Sequence, residues 1–247
     1  MLRAKEVVVS IIVPAFNEAK GLGVTLAHLR AAERRFHEHY GLASEIIVVD
    51  NASSDETAEI ARRQGTTVVY DPVRNIARAR NSGACAAQGW VFVFVDADTL
   101  VPEELLIRIW RAMASPACMG GVVEPIYSPA RKGMRLYAAI WRWYGRHVRL
   151  SQGPVQFFRR QSFEQLKGYD ESLCVGEDVV CLWRLRKLAR QTGSCVESIR
   201  DIAVQASARR FDQWPTWRVL LWTNPLLVAL FWRQKEVWSG WYEHPPR

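Results

Sequence analysis

The stretch from Val91 to Leu100, VFVFVDADTL, decides the fold. Its first five residues alternate β-branched and aromatic side chains, which is typical of a strand that is buried on both faces. The strand ends at Asp96, and a second carboxylate follows at Asp98. Ligands of open α/β sheets bind beyond the carboxyl ends of the strands. The two carboxylates are therefore either ligands of a divalent cation or caps of the helix that is predicted near Pro102.

The sequence before this stretch alternates strands with helices. Apolar runs predict strands at 7–13, 45–49 and 66–70, and helical spacing predicts helices over 18–39, 55–64 and 77–88. This alternation predicts an α/β fold with a Rossmann-like, mostly parallel central sheet flanked by helices.

Polar side chains follow three of the predicted strands. Because the carboxyl ends of parallel strands meet at one edge of a sheet, we expect these side chains to line one crevice. Helix capping explains some of them singly but explains their shared position poorly. They are Asn17 and Glu18, then Asp50, Ser53 and Asp55, then Asp96 and Asp98.

Glycine-rich phosphate loops are missing from the sequence. Neither GxGxxG after the first strand nor GxxxxGK[ST] occurs, so a Rossmann dinucleotide site and a P-loop are not supported. A bound nucleoside diphosphate would need a metal ion and arginine to neutralise its charge. The carboxylates of Asp96 and Asp98 offer a place for that metal ion.

The composition limits the class of protein. Of the 247 residues, 49% are hydrophobic and 23% are charged, as in globular proteins. The net charge of +8 indicates an anionic partner, such as nucleic acid, lipid headgroups or a small anionic substrate. The five cysteines form no CxxC pair and favour a reducing compartment. No signal peptide and no apolar run of about 20 residues is recognised, so we expect a cytoplasmic protein without a conventional spanning helix.

Several ordered motifs resemble the family 2 glycosyltransferases, which have the GT-A fold. SIIVPAFNE, EIIVVDNASSDETAEIA, NIARARNSGACAAQG and VFVFVDADT resemble their nucleotide-binding half, and GPVQFFRR, GYDESL and GED resemble their acceptor half. The resemblance implies a catalytic domain over 1–210, divided into a nucleotide-binding half (1–99) and an acceptor half (100–210). A Trp-rich amphipathic helical tail would occupy 211–247.

The resemblance also implies roles for individual residues. Asp98 would bind Mn²⁺ or Mg²⁺, and Asp96 would contact the ribose, the metal ion or a metal-bound water. Asp50 would accept a hydrogen bond from the base, typically uracil. The other residues expected to bind the donor are Pro14, Asn17, Glu18, Ser53, Asp55 and Arg80. One of Arg159 and Arg160, which follow a strand-like run, could reach the diphosphate, although arginines at a strand end are more often solvated.

Asp178, in the Glu177-Asp178 pair, would be the catalytic base. Sugar transfer needs a base for the acceptor hydroxyl and a cation for the leaving phosphates. Glu177 could assist by repelling the negative charge of Asp178. The alternative is that both residues are only the acidic first turn of a helix that runs to about Arg190.

Two basic and aromatic segments remain, 129–150 and 211–242. The first projects as an amphipathic helix with an arginine face, and the second holds six tryptophans. Both suit an anionic membrane surface. Packing on the core, or a homodimer contact through the tail, would leave the same pattern.

We therefore expect a metal-dependent, inverting, non-processive glycosyltransferase, because the QxxRW motif of processive synthases is missing. It would move one sugar from a nucleoside diphosphate sugar, with UDP as the expected nucleotide, to a hydroxyl of a lipid-linked, saccharide or other membrane-proximal acceptor. We expect it to lie on the inner face of the cytoplasmic membrane and not to bind nucleic acid. The alternative is a catalytically silent subunit that binds a nucleotide sugar.

Overall fold

A computed structural model describes residues 6–148 and 153–222. The strands are β1 (Val7–Ala15), β2 (Ala43–Asp50), β3 (Thr67–Tyr70), β4 (Val91–Val95), β5 (Cys118–Tyr127), β6 (Val155–Arg159) and β7 (Cys195–Ala206). The helices are α1 (Leu22–Tyr40), α2 (Thr57–Arg63), α3 (Ile76–Ala86), α4 (Leu105–Met113), α5 (Lys132–Val148), α6 (Arg160–Gln165), α7 (Glu177–Thr192), α8 (Arg209–Gln213) and α9 (Thr216–Trp222).

The strands form one seven-stranded sheet in the order β3-β2-β1-β4-β6-β5-β7. Only β6 runs antiparallel to its neighbours β4 and β5, so the prediction of a mostly parallel sheet is confirmed. The first four predicted strands are present with small shifts at their ends. The central position of β4, between β1 and β6, explains why its five residues are all buried.

The valine and phenylalanine side chains of β4 alternate between the two faces of the sheet. Val93 and its valine neighbours pack with β1, α1 and α4 on one face. Phe92 and Phe94 pack on the other face, where α3, α6 and α7 lie. The ring centroid of Phe94 is 5.2 Å from that of Phe163 and 5.0 Å from that of Tyr169. This aromatic cluster packs α6 and the segment after it against β4, the strand that Asp96 follows.

The start of α2 differs from the prediction. The sequence places Ser54 or Asp55 at the N-cap, but the helix begins at Thr57 and Glu56 precedes it without a side-chain cap. The Asp55 carboxylate accepts hydrogen bonds from the Thr57 amide (3.0 Å) and from the Ala19 amide (3.1 Å). It therefore joins the loop after β1 to the loop after β2.

The predicted amphipathic helix over 129–150 is present as α5. Two of its predicted face arginines instead bind backbone carbonyls: Arg131 donates to the Trp214 carbonyl (2.9 Å), and Arg135 to the Pro129 carbonyl (2.7 Å). Met134 packs with Trp214 and Val219 at the start of the tail. The rest of the predicted tail, 223–247, lies outside the described residues, and the boundary after 210 stays a prediction. Among the described residues, every helix is too short or too polar to cross a membrane.

Gly83 allows α3 to approach the sheet. A Cβ atom at this position would lie 2.4 Å from the Ile12 Cγ2 atom and 2.8 Å from the Val49 Cγ2 atom. We expect Gly83→Ala to lower the free energy of unfolding by about 1–3 kcal/mol, the usual cost of overpacking. Urea denaturation measures this change.

The matched control is Gly133→Ala at the exposed start of α5, where a Cβ atom would meet nothing within 4 Å. This substitution should change the free energy of unfolding by less than about 1 kcal/mol. Equal destabilisation by the two variants would contradict the close packing of α3.

Candidate functional site

The carboxyl ends of β1, β2 and β4 and the first turn of α7 meet at one edge of the sheet. We call this region the acidic crevice and define it by Glu18, Asp50, Asp96, Asp98 and Asp178. The Asp96 amide donates to the Pro154 carbonyl (3.0 Å), and the neighbouring Gly153 amide donates to Asp178 Oδ2 (2.9 Å). The expected gathering of acidic residues at one edge is thus present, and the β6 segment brings Asp178 to it.

Asp98 is paired with an arginine that the sequence did not single out. Arg209 Nη2 lies 2.7 Å from Asp98 Oδ2, and 2.8 and 2.9 Å from the two Glu18 carboxylate oxygens. Burial raises the pKa of Glu18, although Arg209 acts in the opposite direction. The sequence signal that could have identified Arg209 is the Arg209-Arg210 pair, which follows β7 and begins α8.

Arg80 lies below the crevice. Its side chain is 3% exposed, and its guanidinium bonds Asp96 Oδ1 (2.8 Å) and the Glu177 carboxylate. It also lies over the Tyr169 ring, 5.2 Å from the centroid. Burial favours the neutral form, but Asp96 and Glu177 hold the pKa of Arg80 well above its ordinary value.

These contacts correct two predicted roles. Arg80 is not placed to bind a donor in the crevice, because its guanidinium is buried and engaged by two carboxylates. Glu177 is likewise buried, so its carboxylate faces Arg80 and not the crevice. We therefore describe both as positioning residues, which join the end of β4 to the start of α7.

Asp178 has its own set of partners in the first turn of α7. Besides the bond from Gly153, its Oδ1 atom accepts from the Val179 amide (2.8 Å). Buried Gln156 donates to the Asp178 carbonyl (2.9 Å) and accepts from the Tyr169 hydroxyl (2.7 Å). The helix predicted as the alternative for Glu177-Asp178 is present, and the same helix presents the Asp178 carboxylate at the crevice.

The loops after β1 and β2 hold each other by hydrogen bonds. The Asn17 amide donates to Ser53 Oγ (3.1 Å), and the Ser54 amide donates to Asn17 Oδ1 (2.8 Å). Asp50 Oδ1 accepts from the Ser53 amide (3.0 Å). Asn17, Ser53 and Asp55 thus shape this side of the crevice through contacts within the protein. Their contact with a donor, and that of Pro14 and Asp50, stays a prediction.

Arg159 and Arg160 do not reach the crevice. Arg159 pairs with Val91 at the opposite end of β4, and its Nη2 atom donates to the Met113 carbonyl (3.0 Å). Arg160 Nε donates to the Gly89 carbonyl (2.9 Å). The prediction that one of them binds the diphosphate is wrong, because β6 runs antiparallel to β4 and carries its last residues to the far edge.

Two further residues were missed by the sequence analysis. Asp71 is buried at the end of β3 and accepts from Arg78 Nε (2.9 Å) and Ser82 Oγ (2.6 Å). Tyr127 ends β5 near the crevice, and burial together with the carboxylates of Asp96 and Asp178 raises the pKa of its hydroxyl. Tyr127 therefore keeps its proton and can donate a hydrogen bond at neutral pH.

The carboxylates of the crevice fit a metal ion whose coordination shell is completed by oxygens of a substrate. Among residues 6–148 and 153–222, no group of three His, Cys, Asp or Glu side chains could hold a metal ion. One or two carboxylates with phosphate oxygens are the usual ligands of Mg²⁺ in phosphate-handling proteins. Burial raises the pKa of Asp96 to about 7 against the opposing effect of Arg80, and the Asp98 charge adds to the rise. A nearby cation would favour the ionised form. Asp98 and Asp96 are thus the residues that would hold it.

The Arg80 ion pairs generate a stability prediction. Arg80→Met leaves two carboxylates without their buried counter-ion, so we expect the free energy of unfolding to fall by about 3–5 kcal/mol. The control is Arg63→Met, because Arg63 is 62% exposed and pairs only with Glu59. It should cost less than about 1 kcal/mol in urea denaturation at neutral pH.

The double variant Arg80→Met/Glu177→Gln tests the cause of this loss. Neutralising Glu177 removes one of the unpaired buried charges, so the double variant should regain part of the lost stability. A double variant no more stable than Arg80→Met would contradict the assignment of the loss to the ion pairs.

Comparison with known proteins agrees with this architecture. A family model described as Glycosyl transferase family 2 matches residues 10–167. The undecaprenyl-phosphate 4-deoxy-4-formamido-L-arabinose transferase of Pectobacterium carotovorum is 28% identical over 169 residues, which cover 57% of this chain and 49% of that protein. The matched segments cover between 20% and 54% of the length of these curated relatives.

Two solved structures share the fold. The mannosyltransferase PcManGT of Pyrobaculum calidifontis, in complex with GDP-Man and Mn²⁺, has a TM-score of 0.61 and 23% identity, with 81% of this chain and 56% of that chain covered. Glucosyl-3-phosphoglycerate synthase of Mycobacterium tuberculosis, with Mn²⁺, UDP and glucosyl-3-phosphoglycerate, has a TM-score of 0.61 and 18% identity, with 92% and 79% covered. The expected GT-A type of fold is confirmed. Since the family model extends from β1 through α6, the chain belongs to glycosyl transferase family 2.

Proposed function

We propose that this protein is a metal-dependent, inverting glycosyltransferase that moves one sugar from a nucleoside diphosphate sugar to an acceptor hydroxyl. The observation that carries the proposal is that Asp98 and Asp178 lie at one crevice but are held by different partners. Asp98 contacts Arg209, whereas Asp178 is fixed by the Gly153 amide. The two carboxylates are thus held separately, so one can serve a metal ion while the other acts as a base.

The reaction uses these two carboxylates in separate ways. Asp178 accepts the proton of the acceptor hydroxyl, whose oxygen forms a bond to the anomeric carbon. The bond between that carbon and the diphosphate oxygen breaks, and the nucleoside diphosphate leaves. A divalent cation at Asp98 and Asp96 would neutralise charge on the departing phosphates. Attack from the face opposite the leaving group inverts the anomeric configuration.

The donor is proposed as a UDP sugar, with Asp50 as the acceptor of a hydrogen bond from the base. Asp50 is 6% exposed at the end of β2, beside the loop that is shaped by Asn17 and Ser53. The two solved relatives above carry GDP-Man and UDP, so a comparison of guanine and uracil donors tests this choice.

The acceptor is proposed to be linked to a lipid at an anionic membrane surface. Leu136 and Ile140, one turn apart on α5, are 65% and 54% exposed. Trp217 and Leu221, one turn apart on α9, are 66% and 46% exposed. These apolar side chains alternate with basic residues, and no acidic residue occurs from 128 to 148. The match to an undecaprenyl-phosphate transferase supports the same kind of acceptor.

Measurements of donor binding and turnover test the separate roles proposed for Asp98 and Asp178. With purified protein, Mn²⁺ and a panel of nucleotide sugars and lipid-linked acceptors, Asp98→Ala should abolish both metal-dependent nucleotide binding and nucleoside diphosphate release. Asp178→Asn should keep nucleotide binding but lower release by at least about 100-fold, because it removes the general base. The control is Asp201→Asn, an exposed carboxylate on β7 that pairs with Arg108.

Full release by Asp178→Asn would contradict catalysis by this base and favour the catalytically silent alternative. Binding without release from any donor by the unmodified protein would do the same.

Vesicle sedimentation tests the membrane surface. We expect the unmodified protein to bind vesicles that contain phosphatidylglycerol, and Leu136→Glu/Ile140→Glu to bind at least about tenfold more weakly, because charge is costly in an apolar interface. Val24→Glu on α1, which alters a side chain that is 54% exposed, is the control. Unchanged vesicle binding by the double variant would contradict the proposal. It would also be contradicted if neither protein bound vesicles and the unmodified protein were a dimer while the double variant was a monomer.

A further inference from the structure

Arg209 donates to one of the two carboxylate oxygens of Asp98, the residue proposed to ligate the metal ion. We propose that Arg209 and the divalent cation are alternative counter-ions of Asp98, and that the nucleoside diphosphate draws Arg209 away and thereby strengthens metal binding. This inference rests on the proposed function, and it adds an order to the events in the crevice. Metal binding should be weak alone and tight with the nucleotide.

The geometry places one guanidinium nitrogen between two carboxylates. Arg209 Nη2 lies within 2.9 Å of oxygens of both Glu18 and Asp98, and Arg209 Nε lies 3.1 Å from Ser207 Oγ. The Arg209 side chain keeps 30% of its surface exposed, so it can leave Asp98 without unpacking the core. A metal ion on Asp98 Oδ2 and an N–H group at 2.7 Å from the same oxygen would crowd each other.

The charges explain why the arginine rests there. Glu18 and Asp98 follow β1 and β4, and burial, with a smaller effect of the Asp98 charge, raises the pKa of Glu18. The shared arginine relieves this repulsion and is itself held protonated by both carboxylates. Asp98 is thus already paired with a cation of the protein, so a divalent cation that binds Asp98 Oδ2 must displace a charge-assisted hydrogen bond.

The diphosphate competes with Asp98 and Glu18 for the Arg209 guanidinium. Its oxygens match the planar fork of a guanidinium and can accept two parallel N–H bonds, which a shared carboxylate pair does not provide. When Arg209 turns to the phosphates, Asp98 is released to the metal ion, and the same metal ion binds the phosphates. The coupling is reciprocal: the nucleotide raises the affinity for the metal by the factor by which the metal raises the affinity for the nucleotide.

Binding of Mn²⁺ without nucleotide, followed by electron paramagnetic resonance, tests the competition. Arg209→Gln should bind Mn²⁺ alone about fivefold or more tightly, because the competing cation is gone. In the presence of Mn²⁺, the same variant should bind the nucleoside diphosphate about tenfold or more weakly, because a charged hydrogen-bond donor is lost. Arg200→Gln, which alters an exposed arginine on β7, is the control and should change neither affinity.

Arg209→Lys gives a second test if the glutamine variant does not fold. It keeps the charge but lacks the fork, so Mn²⁺ alone should still bind weakly while nucleotide binding falls. Unchanged or weaker binding of Mn²⁺ alone to Arg209→Gln would overturn the inference, even where the unmodified protein shows metal-dependent nucleotide binding and the proposed function stands. If the unmodified protein binds neither Mn²⁺ nor any nucleoside diphosphate, the proposed function fails as well.

Discussion

Arg80 is buried under the crevice, where its guanidinium is shared by Asp96 at the end of β4 and Glu177 at the start of α7. A charge buried to this extent is costly unless it is paired, so the two carboxylates and the arginine require one another. The pairing fixes the start of α7 against the end of β4, at the point where the chemistry is proposed. The helix that carries Asp178 therefore starts from a position that is set by β4.

Three other carboxylates of the crevice have partners from distant segments of the chain. Asp98 and Glu18 share Arg209, and Asp178 takes the Gly153 amide. In the proposed reaction this division keeps the metal-binding and base roles apart, since a carboxylate that ligated the metal ion would be a weaker base. It also gives Asp98 a counter-ion, Arg209, which we propose a divalent cation replaces when the nucleotide binds.

The sequence predicted what depends on local patterns. The buried strand at Val91–Val95, the alternation of strands and helices and the acidic edge all follow from residues close together in the chain, and the structure contains them. Long-range pairings could not be predicted in this way. Arg209 meets Asp98 across 111 residues, and Arg80 meets Glu177 across 97. Arg159 and Arg160 were misplaced because the sequence did not show that β6 is antiparallel to β4.

The central claim is that Asp98 holds the metal ion while Asp178 stays free as a base. A crystal structure with Mn²⁺ and a nucleoside diphosphate tests it most directly, because anomalous scattering locates the manganese. We predict a manganese peak at bonding distance from Asp98 and the diphosphate, Arg209 on the phosphates, and no metal on Asp178. A peak ligated by Asp178, or manganese bound with the Arg209–Asp98 contact still intact, would contradict this account.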